Sequence, residues 1–434
     1  MSVALADRVD EIVGGVSPEF AKLIDTTKLQ AVLKQIDKTG DTIEPPAELI
    51  YEFLRYFDLP DTKGVLLAQD PYPNDAIGIC FATRATSKLP GSFKNIISCL
   101  ESKGLMKPLA SGARHADIRP WVVQGLLCLN MALTTKKGKP GEHKQIWRDF
   151  VVELLERICA ALPRKVFFLL WGSDAKKFKA MAKKHGHAVF EYGHPSPVNT
   201  SCQFINCPNF ESANEFLKSK GEKPFVWDNM ARVIAYTDGA CTGNGKSDPA
   251  GGFGVVIVGG HFAGLRASGA VPPFQFALVD ESHPDAGFAA TDQNAPATNN
   301  RAELLASCWA LLILIRGYAF GDVELVSDSK MCVEMFEQWL PNRKKGGTEA
   351  DLENRDLIVI FDALLGRLRE RANTVKLRRV RAAHNYKLPA GTVGMKKLDW
   401  HGNNDADSLA KAAAESQAPL EIRTRIPILA ALAT

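Results

Sequence analysis

The sequence predicts two α/β domains in tandem, a parallel-sheet domain followed by a mixed-sheet domain. Three observations carry that expectation. A chain of 434 residues exceeds what one hydrophobic core usually organises, so two or three domains are expected. In the first half, short wholly apolar runs alternate with amphipathic segments, the pattern of strands buried on both faces. In the second half strand-like runs come first and helices follow, an order that implies a mixed sheet with helices on its faces.

The elements follow in chain order. Residues 46–56 have a helical pattern. Val65-Leu66-Leu67-Ala68, Leu126-Leu127-Cys128-Leu129 and Val166-Phe167-Phe168-Leu169-Leu170 read as buried parallel strands, with a helix over 150–162. A polar motif follows each run, and in open α/β sheets functional residues collect at the carboxyl ends of strands. The pattern changes over 221–232, which places a boundary near Asn229 and divides the chain into 1–228, 229–415 and a tail, 416–434. The tail has no strong period and is expected to be frayed or loosely docked. Strands at 233–237, 251–260 and 262–267 precede a helix at 300–316, a strand at 323–327 and helices at 329–339 and 353–371. Residues 271–296, rich in Pro, Ala, Asp and Gly, have the composition of an irregular insertion.

Composition narrows the class without naming it. Hydrophobic and charged fractions of 46% and 24% are ordinary for soluble protein. A net charge of +4 permits contact with phosphate backbones but does not argue for it. The nine cysteines show no CxxC or finger spacing, which suggests reduced thiols in an intracellular protein. Acidic residues come too early for a signal peptide, and no uncharged apolar stretch of about 18 residues exists. A soluble, intracellular protein with no membrane partner is expected; the sequence does not choose between nucleus and cytoplasm.

Gln69-Asp70-Pro71-Tyr72 sits directly after the first apolar strand. Alone, Asp-Pro at a strand end is a turn. Four further signals follow in order: Gly78-Ile79-Cys80-Phe81, Leu129-Asn130, Leu170-Trp171-Gly172-Ser173 and His194-Pro195-Ser196-Pro197. With Trp121-Val122-Val123-Gln124-Gly125 and Asn209-Phe210, this set resembles the family 1 uracil-DNA glycosylases over residues 40–228. The resemblance implies metal-free hydrolytic excision of uracil from DNA, on a base turned out of the helix. It makes Gln69 and Asp70 part of a water-activating motif, with Asp70 as the carboxylate that stabilises the cationic sugar. His194 would donate to the developing oxyanion of uracil. Phe81 would stack on the base, Asn130 would read its edge, and Tyr72 would exclude a thymine methyl group. Ser92, Ser173 and Ser196 would hold phosphates, and Val198 stands where the family has a wedging Leu. Pro73 replaces the family's usual His. This form is similar to poxvirus-type glycosylases that also serve as polymerase processivity factors, so a second reading makes this domain a DNA-binding scaffold for a DNA polymerase.

The second half carries Thr237-Asp238-Gly239-Ala240-Cys241 at a strand end, Thr298-Asn299-Asn300-Arg301-Ala302-Glu303 at a helix start, Ser327-Asp328-Ser329 at a strand end, and Asn403-Asn404-Asp405-Ala406-Asp407. Four converging carboxylates raise one another's pKa, and hard divalent ions relieve that repulsion. The pattern resembles type 1 ribonuclease H over about residues 231–414. The resemblance implies that Asp238, Glu303, Asp328 and Asp407 hold two Mg²⁺ (or Mn²⁺) ions, one activating water and one stabilising the leaving oxygen. His384 would assist proton transfer or product release. Cys241 and Asn244 would approach the RNA backbone, and Asn299 and Asn300 with Glu303 would read the minor groove, where 2′-hydroxyls mark RNA. Trp339 with Asn342-Arg343-Lys344-Lys345 is similar to the family's basic protrusion, and Lys330 stands where Gln is usual. The chain is therefore expected to be a bifunctional DNA repair and replication enzyme acting on uracil-containing DNA and RNA–DNA hybrids, its two sites tethered on one nucleic acid.

Overall fold

The structure is a computed structural model that describes residues 3–84, 87–108, 114–199, 203–245, 247–271, 295–340, 342, 352–382, 395–424 and 429. The chain divides into two compact units, Met1–Asn229 and Met230–Thr434. Among the described residues no helix is long and apolar enough to cross a membrane.

The first unit is organised by a four-stranded parallel sheet. Its strands are β1 (Gly64–Ala68), β2 (Leu126–Asn130), β3 (Phe167–Trp171) and β4 (Ala188–Tyr192), in spatial order β2-β1-β3-β4. Every residue of β1, β2 and β3 is buried, which is why these runs carry no polar alternation. Ala68 pairs with Asn130 and Leu67 with Leu170, so the three strands end side by side. The main helices are α1 (Thr26–Asp37), α2 (Gly91–Ser102), α3 (Lys144–Ala161), the short α4 (Ser173–Lys176) and α5 (Asn209–Ser219). α3 begins six residues before the sequence pattern suggests. Just ahead of it His143 is fully buried, with Nδ1 3.0 Å from Thr134 Oγ1 and Nε2 3.3 Å from Asp41 Oδ2, while Trp147 Nε1 donates to Thr134 at 2.7 Å. This polar anchor fixes the start of the helix.

The helix expected over 46–56 is absent. Two 3-10 turns, Ala47–Leu49 and Glu52–Leu54, replace it. Ile50, Tyr51, Phe53, Leu54, Tyr56 and Phe57 are all buried, so apolar groups must point in more directions than one helical stripe allows.

The second unit is built on a six-stranded mixed sheet: β5 (Val233–Thr242), β6 (Ala250–Val258), β7 (Leu265–Ala270), β8 (Asp322–Ser327), β9 (Thr374–Arg379) and β10 (Glu421–Arg423). Their order is β9-β8-β5-β6-β7-β10. β9, β8 and β5 run parallel; the remaining neighbours are antiparallel. The helices are α6 (Asn299–Arg316), α7 (Lys330–Glu334), continued by a π turn over Met335–Trp339, α8 (Arg355–Arg371) and α9 (Met395–Ser416). α6 is buried almost all round, from Leu304 to Ile315. α9 lies against the glycines of β6, where an added Cβ at Gly252 would meet the Ala414 amide nitrogen at 2.2 Å and one at Gly254 the Ala406 carbonyl at 2.1 Å.

One expectation for this unit is corrected. The first strand does not stop at 237 but runs to Thr242, so Asp238 sits within it. The basic run over 376–381 falls largely on the edge strand β9, where Arg378 pairs with Asp399 at 2.8 Å and Glu324 at 3.1 Å. Of the two outcomes expected for the tail, docking is the one seen just after α9: Glu421–Arg423 pairs with β7, Ile422 opposite Ala267. Its single inward apolar residue is too little to show a period. His384, 343–345 and most of the 271–296 insertion lie outside the described residues.

Two candidate active sites

The first site is assembled at the carboxyl ends of the parallel strands. Asp70 follows β1 by two residues, and its side chain is 11% exposed. One carboxylate oxygen, Oδ1, faces Lys144 Nζ at 3.8 Å, and the Gly141 amide donates to the same carboxylate. The other, Oδ2, is buried with no hydrogen-bond partner. Burial pushes the acid's pKa up, Lys144 and the Gly141 amide pull it back down, and Asp174 adds repulsion.

Asn130 closes β2. It is 3% exposed, and its Oδ1 likewise has no partner. Phe81 is held at φ +58°, a left-handed conformation that a bulky residue adopts only under constraint. Its ring centroid lies 5.6 Å from Trp171 and 5.7 Å from His194. Tyr72 has its phenol pushed to higher pKa by burial, with Ser92 as the facing hydroxyl, so it is neutral.

His194 is placed by the loop that leaves β4. Asn95 of α2 donates to the Pro195 carbonyl at 2.8 Å, and Asn199 to the His194 carbonyl at 3.1 Å. Gly172, at φ +89°, lets this loop close on β3: a Cβ there would lie 3.0 Å from His194 Cβ. The ring's Nδ1 accepts from the Ser196 amide at 3.0 Å. That bond leaves the proton of the neutral ring on Nε2. Burial lowers the pKa below 6.5, partly offset by Asp174, so the ring is neutral near pH 7.

Other predicted residues are arranged differently. Gln69 directs its side chain to Asp174. Ser173 is exposed at the start of α4, Ser196 contributes its amide to His194, and Val198 stands 86% exposed in the same loop. Sequence reasoning missed Lys144 and Asp174: neither belongs to a motif, and only the fold brings them to Asp70.

The second site is a cleft where β5, β8, α6 and α9 converge. Ligand oxygens of Asp238, Glu303 and Asp328 lie within 4.8 Å of one another. The backbone makes this possible at Gly239, where an added Cβ would meet the Glu303 amide nitrogen at 2.3 Å. Asp238 Oδ1 accepts from the Gly239 amide at 2.8 Å. Burial, then the charges of Asp328 and Asp407, push Asp238 up to about 8. Glu303 is raised as well, by burial and then by Asp238 and Asp328. Asp407, from α9, lines the same cleft and pairs with Lys411 at 2.8 Å.

This donor set fits a hard divalent cation: all ligands are carboxylate oxygens, and without positive charge the cluster retains protons near neutral pH. Cys241 and Asn299 also line the cleft, together with Arg379 from the basic run over 376–381 and with Lys411, which the sequence reading did not single out. Asn300 and Trp339 line a neighbouring hollow with Leu304 and Met331. Asn244 is exposed on the β5–β6 hairpin. The helix start that delivers Glu303 is capped by Thr298 Oγ1, which accepts from the Arg301 amide at 3.1 Å, and Arg301 makes a bidentate pair with Asp356 at 3.0 and 2.6 Å.

Residues 54–218 match the family model described as the uracil DNA glycosylase superfamily, and residues 230–415 match RNase H. The uracil-DNA glycosylase of Vibrio vulnificus strain YJ016 is 35% identical over 195 residues, 44% of this chain and 84% of that protein. That of Dictyostelium discoideum is 34% identical over 216 residues, 49% of this chain; the chain spans only 61% of that protein's length. The crystal structure of mimivirus uracil-DNA glycosylase is 23% identical, with a TM-score of 0.42, covering 49% of this chain and 90% of that one.

Proposed function

This chain belongs to the uracil-DNA glycosylase superfamily, and we propose that it hydrolyses two kinds of nucleic-acid bond, excising uracil from DNA with its first unit and cutting RNA in RNA–DNA hybrids with its second.

One observation supports the glycosylase reading most strongly. Asp70 Oδ2 and Asn130 Oδ1 are both buried and both lack a partner, next to an aromatic ring constrained against His194. Such orphaned atoms are costly unless a ligand meets them. A uracil turned out of the helix stacks on Phe81 and offers an imide N–H to Asn130. The N1–C1′ bond breaks with its electron pair moving into the base. His194 Nε2–H then donates to the uracil oxygen that gains charge. Asp70, ionised, faces the sugar as it becomes cationic, orients the water whose oxygen bonds to C1′, and takes up the proton that this water gives off. Tyr72, neutral and with its hydroxyl buried, blocks the space a thymine methyl would need.

In the second unit Asp238, Glu303, Asp328 and Asp407 would hold divalent cations, which when bound supply Lewis acidity at the phosphodiester and an acidified water. The protein's part is to keep these carboxylates converged and to hold the hybrid. Cys241 and Asn299 flank the cleft on one side, and Arg379 and Lys411 offer cations to phosphates. Pro73 favours a second reading, in which the first unit mainly tethers a DNA polymerase to DNA.

The test is uracil release from single-stranded DNA in EDTA, where metal-dependent cleavage is silent. Wild type is expected to release uracil, and Asp70→Asn to lose about 100-fold or more. Binding of DNA without any release by wild type favours the scaffold. In Mg²⁺, cleavage of a hybrid that survives Asp328→Asn would overturn the nuclease assignment.

A further inference from the structure

The glycosylase reading leaves the surroundings of Asp70 unexplained, and the inference here rests on that reading. A buried carboxylate that must act as an anion needs positive charge nearby. Position 73, beside the Asp-Pro-Tyr motif, is a proline and offers none. Among the described residues the cation that pairs with Asp70 is Lys144, the first residue of α3, at 3.8 Å.

Its placement is constrained from two sides. His143, immediately before it, is locked between Thr134 and Asp41. On the other side the lysine folds back over Gly141: a Cβ at that φ +79° position would lie 3.0 Å from Lys144 Cε and 3.1 Å from Nζ. Gly141 also gives its amide to Asp70. One short segment, 141–144, therefore presents both a backbone donor and an ammonium group to the same carboxylate, leaving Oδ2 unpartnered.

We propose that Lys144 is a positioning residue for Asp70, holding its carboxylate ionised with one oxygen turned toward the reacting sugar. The charged groups acting on Asp70 are Lys144 from α3 and Asp174 from α4. Asp174 opposes the ion pair, but its own charge is engaged by Lys177 at 2.6 Å and by Gln69. Lys144 therefore sets the balance.

The test is the pH dependence of kcat and KM for uracil release by the full chain in EDTA. Lys144→Gln is expected to raise the midpoint of the acid limb by about one pH unit and lower kcat on that limb roughly ten-fold, with KM changed less than about two-fold. Lys144→Arg should keep the wild-type midpoint. Arg148→Gln, which removes an exposed cation one turn along the same helix, should leave the profile unmoved. A raised KM with an unmoved midpoint makes Lys144 a phosphate contact and overturns the proposal, as does a Gln variant identical to wild type. Thermal unfolding checks that the variants fold, and Lys144→Met repeats the charge removal should Gln fail. An inactive wild type would instead sink the glycosylase reading itself.

Discussion

Neutralising one member of the carboxylate cluster should stabilise the metal-free second unit while removing its activity. Asp238 is pushed up to about 8 from 3.8, a gap of about 4 units, and each unit is worth about 1.4 kcal/mol. Holding that group ionised in the fold thus costs at most about 6 kcal/mol. Glu303 is raised in the same cluster, and the charge of Asp328 remains, so replacing one acid relieves only part of the repulsion, about 2 kcal/mol. For a unit of this size that corresponds to a rise of about 4–8 °C in the thermal midpoint. The sign with pH follows from the raised folded-state pKa. Between about pH 4 and 8 the folded form binds more protons than the unfolded chain, so stability falls as pH rises through that window. Thermal unfolding of wild type and Asp238→Asn in EDTA at pH 5 and pH 8 measures this. Wild type should lose stability toward pH 8 and recover it with Mg²⁺, which binds the fold alone; the variant should be the more stable at pH 8 without metal. An Asn variant less stable than wild type at pH 8 in EDTA would refute the account of a strained, cation-requiring cluster.

Further outcomes follow from single contacts. Because burial keeps His194 neutral above about its ordinary pKa of 6.5, uracil release should be flat from pH 6.5 to 8.5; activity that declines as pH rises through 7 would mean the imidazolium is the working form. Gly239→Ala places a methyl 2.3 Å from the Glu303 amide nitrogen, so it should cost about 2 kcal/mol in urea unfolding and abolish hybrid cleavage while sparing uracil release. Arg301→Lys cannot keep both bonds to Asp356 and should destabilise the second unit by about 2 kcal/mol, read in the same experiment.

The parts of the fold legible in sequence were those where one force dominated. β1, β2 and β3 are buried on both faces, so their residues are uniformly apolar, and the motifs that follow them occupy the strand ends. What escaped depended on backbone approach or distant pairing. α9 presents Ala406, Ala410, Ala413 and Ala414 to the glycines of β6; small residues on both sides give close packing without hydrophobic contrast. β5 passes through Asp238 because its far end pairs with β6, as Cys241 does with Gly251, a match no local window contains. Lys144 is an ordinary helix-start lysine until the fold sets it beside Asp70. The four carboxylates were visible as a set, but the tight cluster is formed by three, with Asp407 brought in on a helix whose extent the sequence did not reveal.

If the chain carries two chemically independent sites, each must be removable without the other. Uracil release and hybrid cleavage, measured in Mg²⁺ for wild type, Asp70→Asn and Asp328→Asn, decide this. Asp70→Asn should lose uracil release and keep hybrid cleavage, and Asp328→Asn should do the reverse. A wild type lacking either activity, or a single substitution that removes both from a folded protein, would contradict it.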